Sequence, residues 1–229
     1  MSAETRLETT VHLLRHGEVH NPDGVLYGRR DGFHLSELGR RMAQRVADTI
    51  ATRDIVHLVA SPLERAQETA APLAAARGLE IHTDERLIES SNVFEGVSFG
   101  PQVATQLFRT PATWRHLWNP FRPSWGEPYT EVAARMRAAV LDARAAAAGH
   151  EAVLVSHQLP IWSARLSAEG RPFLHDPRRR QCTLCSLTSF HFTGGRLDRV
   201  SYSEPAGDLI PVKDKRDTFS AGGAEEPRP

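Results

Sequence analysis

Short apolar runs alternate along this chain with longer stretches in which apolar positions recur every three or four residues. Residues 10–14, "TVHLL", predict a buried strand, and 17–35 form a loop rich in Gly, Pro and Asp. Leu38, Met42, Val46 and Ile50 follow at intervals of four, so 37–52 predicts an amphipathic helix with Ser36 as its N-cap. The β-branched run 55–60 predicts a second strand. A helix then starts with Ser61 as N-cap, Pro62 in its first turn and Glu64 closing a capping box, and ends near Arg77-Gly78. Residues 79–83 predict a third strand, and 84–128 are irregular. Val132, Met136, Ala139, Val140 and Ala143 share one face of a predicted helix over 129–148, stopped by Gly149. A fourth strand follows in "EAVLVSH", then a helix over 158–170. Residues 184–192 and 196–203 predict a hairpin across "TGG".

Strands that alternate with helices predict an α/β fold: a three-layer α/β/α arrangement with a mainly parallel central sheet. Residues 1–204 are expected to form one domain, with a loop-rich insertion at about 90–126. Residues 205–229 read as a Pro-, Gly- and charge-rich tail, largely disordered beyond 212.

Composition narrows the function. Lys plus Arg and Asp plus Glu both number 28, so no global field recruits nucleic acid or a membrane, and any anion affinity must be local. The polar N-terminus carries no signal-peptide pattern, and two cysteines make no disulfide framework, so a cytoplasmic setting is expected. High Ala and Arg with little Lys suggests a GC-rich bacterial genome.

In parallel sheets, ligands bind at the carboxyl ends of strands. Three polar clusters fall there: Arg15-His16-Gly17, Ser61 to Arg65, and Ser156-His157. Two arginines and two histidines in one crevice make an anion site, because the guanidinium fork matches phosphate oxygens. A histidine there can attack phosphorus, and a carboxylic acid must then protonate the leaving alcohol.

With these clusters the sequence resembles the histidine phosphatase superfamily, which includes the phosphoglycerate mutase-like enzymes. "LLRHGEV", "VASPLERAQETA", "DERLIES", "WGEPYTEVAARM" and "VLVSHQLPI" carry the resemblance, in family order from residue 11 to about 165. It implies a phosphoglycerate mutase-like fold and a metal-independent, cofactor-free phosphomonoesterase acting on a small phosphorylated metabolite. It further implies His16 as the nucleophile that becomes phosphohistidine, and Arg15, Arg65 and His157 as the phosphate pocket. Glu89 becomes the proton donor, favoured over Glu95, and Glu127 matches a Gly-Glu pair that commonly supports the site. The family's loop asparagine falls one residue early, at Asn21, with Pro22 in its place. Gln158 stands where a glycine is common, and its amide is a candidate donor to phosphate. The mutase branch carries a paired-arginine segment. Arg109, Arg115 and Arg122 include no adjacent pair, which favours a phosphatase over a mutase. A non-catalytic phospho-ligand binder is the remaining alternative. A homodimer is common among relatives, but no interface signature appears.

Other features read more plainly. Tyr27, Arg29 and Arg30 are candidates to recognise the substrate beyond its phosphate. His12, His16 and His20 have a spacing that suits a metal on a helix, not on a strand, so no metal site is expected. Cys182 and Cys185 read as buried structural cysteines, pointing to opposite faces of a strand. "DPRRRQ" reads as a solvated basic loop. The aromatics of 108–125 either line a substrate pocket or pack a lid.

Overall fold

The computed structural model describes residues 7–92, 95–96, 126–174, 180–210 and 223–224. Strand β1 (Glu8–Arg15) is followed by the two-residue strand β2 (Val19–His20) and helix α1 (Glu37–Ile50). Strand β3 (Ile55–Ala60), helix α2 (Glu64–Arg77) and strand β4 (His82–Thr83) come next. Helix α3 (Tyr129–Ala146), strand β5 (Glu151–Ser156) and helix α4 (Gln158–Ala168) precede the hairpin of β6 (Leu187–Thr193) and β7 (Arg196–Ser203). Strand β8 (Gly223–Ala224) pairs in parallel with β2.

The central sheet has the order β4-β3-β5-β1-β6-β7. The first four strands run parallel, and β6 and β7 are antiparallel at one edge. Side chains alternate between two cores, as the pleat requires. Along β5, Val153 and Val155 join Met42, Val46, Ala70 and Leu73 from α1 and α2. Ala152 and Leu154 join Val132, Met136, Val140 and Ile161 from α3 and α4 on the other face. The expected three layers are therefore present. No helix among the described residues is long and apolar enough to cross a membrane.

Ser36 caps α1 as its position predicts, accepting from Gly39 N at 2.9 Å. Four expectations change. The capping box at Ser61–Glu64 does not form: α2 starts at Glu64, Leu63 is its N-cap, and no side chain caps it. The strand expected over 79–83 shortens to His82–Thr83, because only its end reaches β3 in register. Cys182 and Cys185 precede β6 rather than lying in a strand, yet they still enter opposite cores. The packed body also runs past residue 204, since Ala206 and Ile210 are buried against α1 and α2, and Gly223–Ala224 beyond it forms strand β8. The aromatic stretch 108–125 lies outside the described residues, as do Arg109, Arg115 and Arg122.

Candidate active site

Strand register brings the three polar clusters together. Strand β5 lies between β1 and β3, with Ser156 opposite Arg15 and Val155 opposite Ala60. Just past these ends, His16 N donates to Ser156 O at 3.1 Å and Ser61 N donates to Val155 O at 2.9 Å. Side chains about 45 to 140 residues apart in sequence thus meet at the carboxyl ends of three interior strands. Helices α2 and α4 begin at the same end of the sheet, so their positive dipole ends face the site.

His16 is buried, and its Nδ1 donates to the carbonyl of Gly17 at 2.8 Å. A carbonyl only accepts, so this bond places the proton on Nδ1 and leaves Nε2 as the basic nitrogen. Burial first, then the charges of Arg65 and Arg15, hold the imidazole well below its ordinary pKa. It is therefore neutral at neutral pH. Gly17 N donates to Thr69 Oγ1, which in turn donates to the carbonyl of Arg65, tying the motif loop to α2. A Cβ on Gly17 would lie 2.7 Å from the carbonyl oxygen of Gly39, so glycine lets the loop pass against α1.

Arg65 is wholly buried, with its guanidinium 4.7 Å from the centre of the Tyr27 ring. Its Nη2 donates to Gly28 O at 2.6 Å. Its Nε and Nη1 have no partner among the described residues. His157 packs 5.1 Å from His16, ring to ring, and its Nε2 is 2.8 Å from Ser61 Oγ. His157 Nδ1 is a third buried nitrogen without a partner among the described residues. Arg15 Nη1 donates to Cys182 O at 2.7 Å. Buried donors that no described residue satisfies are costly unless an anion takes them. The arrangement suits a phosphoryl group.

Glu89 stands in the same field. Burial raises its pKa, against the opposing pull of Ser90 N–H and of Arg65, Arg15 and Arg135. A glutamic acid that retains its proton can serve as a general acid. Glu95 lies against Gly28, and its Oε1 accepts from Asn92 N at 3.0 Å.

The remaining residues singled out in the sequence divide. Tyr27 joins the site, 6.4 Å from the His16 ring. Gln158 reaches the carbonyl of Cys182, at 3.4 Å. Asn21 uses its amide on the loop itself, donating to Val25 O at 2.9 Å and accepting from Val25 N at 3.0 Å. Arg29 is engaged within the protein: its Nε donates to Glu89 O at 2.6 Å and its Nη2 pairs with Glu127 at 2.8 Å. Of the histidine series, His12 bonds Ser189 and Glu151, while His20 is exposed. No group of three metal-ligating side chains occurs among the described residues. Burial pushes the thiols of Cys182 and Cys185 up to about 11 and 12, leaving them protonated and inert.

Sequence reasoning missed several contributors. Ser61 reads as a helix cap but hydrogen-bonds His157 instead. Arg180, in a run that reads as solvated, is buried, and the charges of Glu89 and Arg15 act on it. Its burial depends on tertiary packing, which local composition does not encode. Arg135 reads as one more polar position on α3, yet it contacts the segment that leads to Glu89.

The family model described as "Histidine phosphatase superfamily (branch 1)" matches residues 11–205. An uncharacterised protein of Mycobacterium tuberculosis is 58% identical over 199 residues, covering 87% of this chain and 98% of the relative. A probable phosphoglycerate mutase GpmB of Yersinia pestis is 33% identical over 200 residues, covering 85% of each. Among solved structures, a mycobacterial glucosyl-3-phosphoglycerate phosphatase is similar with a TM-score of 0.65 and 25% identity, over 86% of this chain and 98% of that one.

Proposed function

Because the chain belongs to the histidine phosphatase superfamily, we propose that it is a phosphomonoester hydrolase working through a phosphohistidine on His16, without a metal ion. The observation that carries the reading is the His16–Gly17 bond, set beside the two donors of Arg65 that have no partner among the described residues. It supplies a neutral nucleophile with a defined lone pair next to a cation that has hydrogen bonds to give. In the first step His16 Nε2 attacks phosphorus in line, and Glu89 protonates the leaving oxygen. In the second, water attacks the phosphohistidine with the Glu89 carboxylate as base. Arg15, Arg65 and His157 hold the equatorial oxygens, where charge must be stabilised. Asn21 shapes the loop beside them. The substrate is a small phosphorylated metabolite, as the similar glucosyl-3-phosphoglycerate phosphatase suggests. Residues 20–34 and 90–126 choose among such metabolites.

The test is phosphate release from a panel of phosphomonoesters in the presence of EDTA. Wild type should release phosphate, and His16→Ala should lose roughly a thousandfold or more in rate while keeping its fold. A variant that retains most of its activity removes His16 as nucleophile. A mutase is the second reading, favoured by the relative from Yersinia pestis. It predicts a phosphoenzyme that resists water and turnover that depends on a bisphosphate primer.

A further inference from the structure

The segment that carries Glu89 has little regular structure, only a single 3-10 turn over Glu85–Leu87. Its carbonyls are nonetheless taken one after another. Arg135 Nη1 donates to Arg86 O at 2.5 Å, and Ser156 Oγ to Leu87 O at 2.7 Å. Arg29 Nε donates to Glu89 O at 2.6 Å, and Glu127 N to Ser91 O at 3.2 Å.

One carboxylate ties this frame together. Glu127 accepts from Arg135 Nε at 2.8 Å on Oε1, and from Arg135 Nη2 at 3.0 Å and Arg29 Nη2 at 2.8 Å on Oε2. Its side chain is 15% exposed and that of Arg135 16%, so this is not a solvated surface pair of little consequence. Each arginine spends one face on Glu127 and another on the segment that carries Glu89, Arg135 at Arg86 O and Arg29 at Glu89 O. Without Glu127 the two cations would face each other uncompensated, and both clamps would loosen.

We propose that Glu127 is a positioning residue for the proton donor: through Arg29 and Arg135 it holds the backbone on either side of Glu89, keeping that carboxyl at the leaving oxygen. The proposal rests on Glu89 being the acid of the first step. In that step the P–Nε2 bond forms, the P–O bond breaks, and the proton of Glu89 ends on the leaving alcohol.

Leaving-group dependence separates positioning from general support of the fold. Nitrophenolate departs without a proton, whereas a glycerol alkoxide needs one. The experiment is rapid-quench, single-turnover formation of acid-labile phosphoenzyme from p-nitrophenyl phosphate and from glycerol 3-phosphate, using the full chain. Glu127→Gln should slow transfer from glycerol 3-phosphate by roughly 10- to 100-fold and from p-nitrophenyl phosphate by less than about threefold. Arg29→Gln, at a side chain one-third exposed, should shift the ratio the same way and keeps the test open if Glu127→Gln unfolds.

A second readout is the pH profile. Glu89 is faced by Arg15 from β1, Arg65 from α2, Arg135 from α3, Tyr27 from the first loop, Arg180 ahead of β6, and the N–H of Ser90. Removing the charge of Glu127 leaves Arg135 acting on Glu89 uncompensated. That favours the carboxylate, so the descending limb should move to lower pH.

Equal slowing on both substrates, or no slowing on either, overturns the proposal. If Glu89→Gln itself fails to discriminate between the substrates, the fault lies with Glu89 as acid. Discrimination by Glu89→Gln but not by Glu127→Gln or Arg29→Gln overturns the positioning role alone. Absence of phosphoenzyme from wild type overturns the proposed function, and this proposal with it.

Discussion

In the proposed mechanism His16 and Glu89 have opposite requirements, and one pocket meets both. The histidine must be unprotonated to attack, so it works above its pKa, which burial and then the arginines lower. The glutamic acid must be protonated, so it works below its pKa, which burial raises. Dry surroundings therefore push each group toward its reactive, uncharged form. The expected profile of kcat/KM, after correction for the substrate's own ionisation, is a bell. Its ascending limb lies below the usual imidazole range and its descending limb above the usual glutamate range. Glu89→Gln should abolish the descending limb. A descending limb that survives this substitution would point to another acid, with Glu95 the nearest alternative.

At the scale of elements, a close backbone contact holds the loop after His16 against α1, and an ion pair ties down the start of β5 at the far end of the sheet. A Cβ on Gly39 would sit 2.0 Å from the carbonyl of Glu18, and backbone has no side-chain freedom with which to yield. Gly39→Ala should destabilise the fold by about 1–3 kcal/mol, read as a lower urea midpoint, and should depress activity by displacing the loop after His16. A wild-type midpoint would show that α1 can slide without cost. Glu151, which opens β5, is held at about 2: burial pushes it up, but hydrogen bonds from His12 and Arg53 outweigh that. A carboxylate with a depressed folded-state pKa stabilises above its unfolded pKa and loses that contribution as pH falls toward its folded value. Thermal stability should therefore drop between roughly pH 4.5 and 2, and Glu151→Gln should flatten the drop. An unchanged slope in the variant would assign acid sensitivity elsewhere.

Across the whole molecule, the two cores on either side of the sheet are completed by segments distant in sequence. Ala206 and Ile210 close the core beneath α1 and α2, although the segment from Glu204 onward reads as polar tail. Ala206, Leu209 and Ile210 span a single turn's spacing between Pro205 and Pro211, too short a pattern to predict burial locally. Ile210→Ala should cost roughly 2–5 kcal/mol, and truncation after Ser203 should lower Tm more than truncation after Ile210. Equal Tm values for the two truncations would detach these residues from the core.

The sequence by itself determined the alternation of strands and helices, the polar clusters at three strand ends, and the identities of His16, Arg15, Arg65 and His157 as candidates for phosphoryl transfer, while the family resemblance singled out Glu89. Those features are local: periodicity, caps and motif spacing are written within a dozen residues. Tertiary structure decided what each polar group does with its hydrogen bonds. Ser61 turns from a helix cap into a partner of His157 because β3 and β5 end side by side. Arg29 hydrogen-bonds both Glu89 O and Glu127, 98 residues away, contacts that its loop sequence does not announce. Arg180 turns from solvated charge into a buried neighbour of Glu89 and Arg15. Such assignments depend on which donors and acceptors are left over once the sheet is in register, a sum over the whole chain that no local window contains.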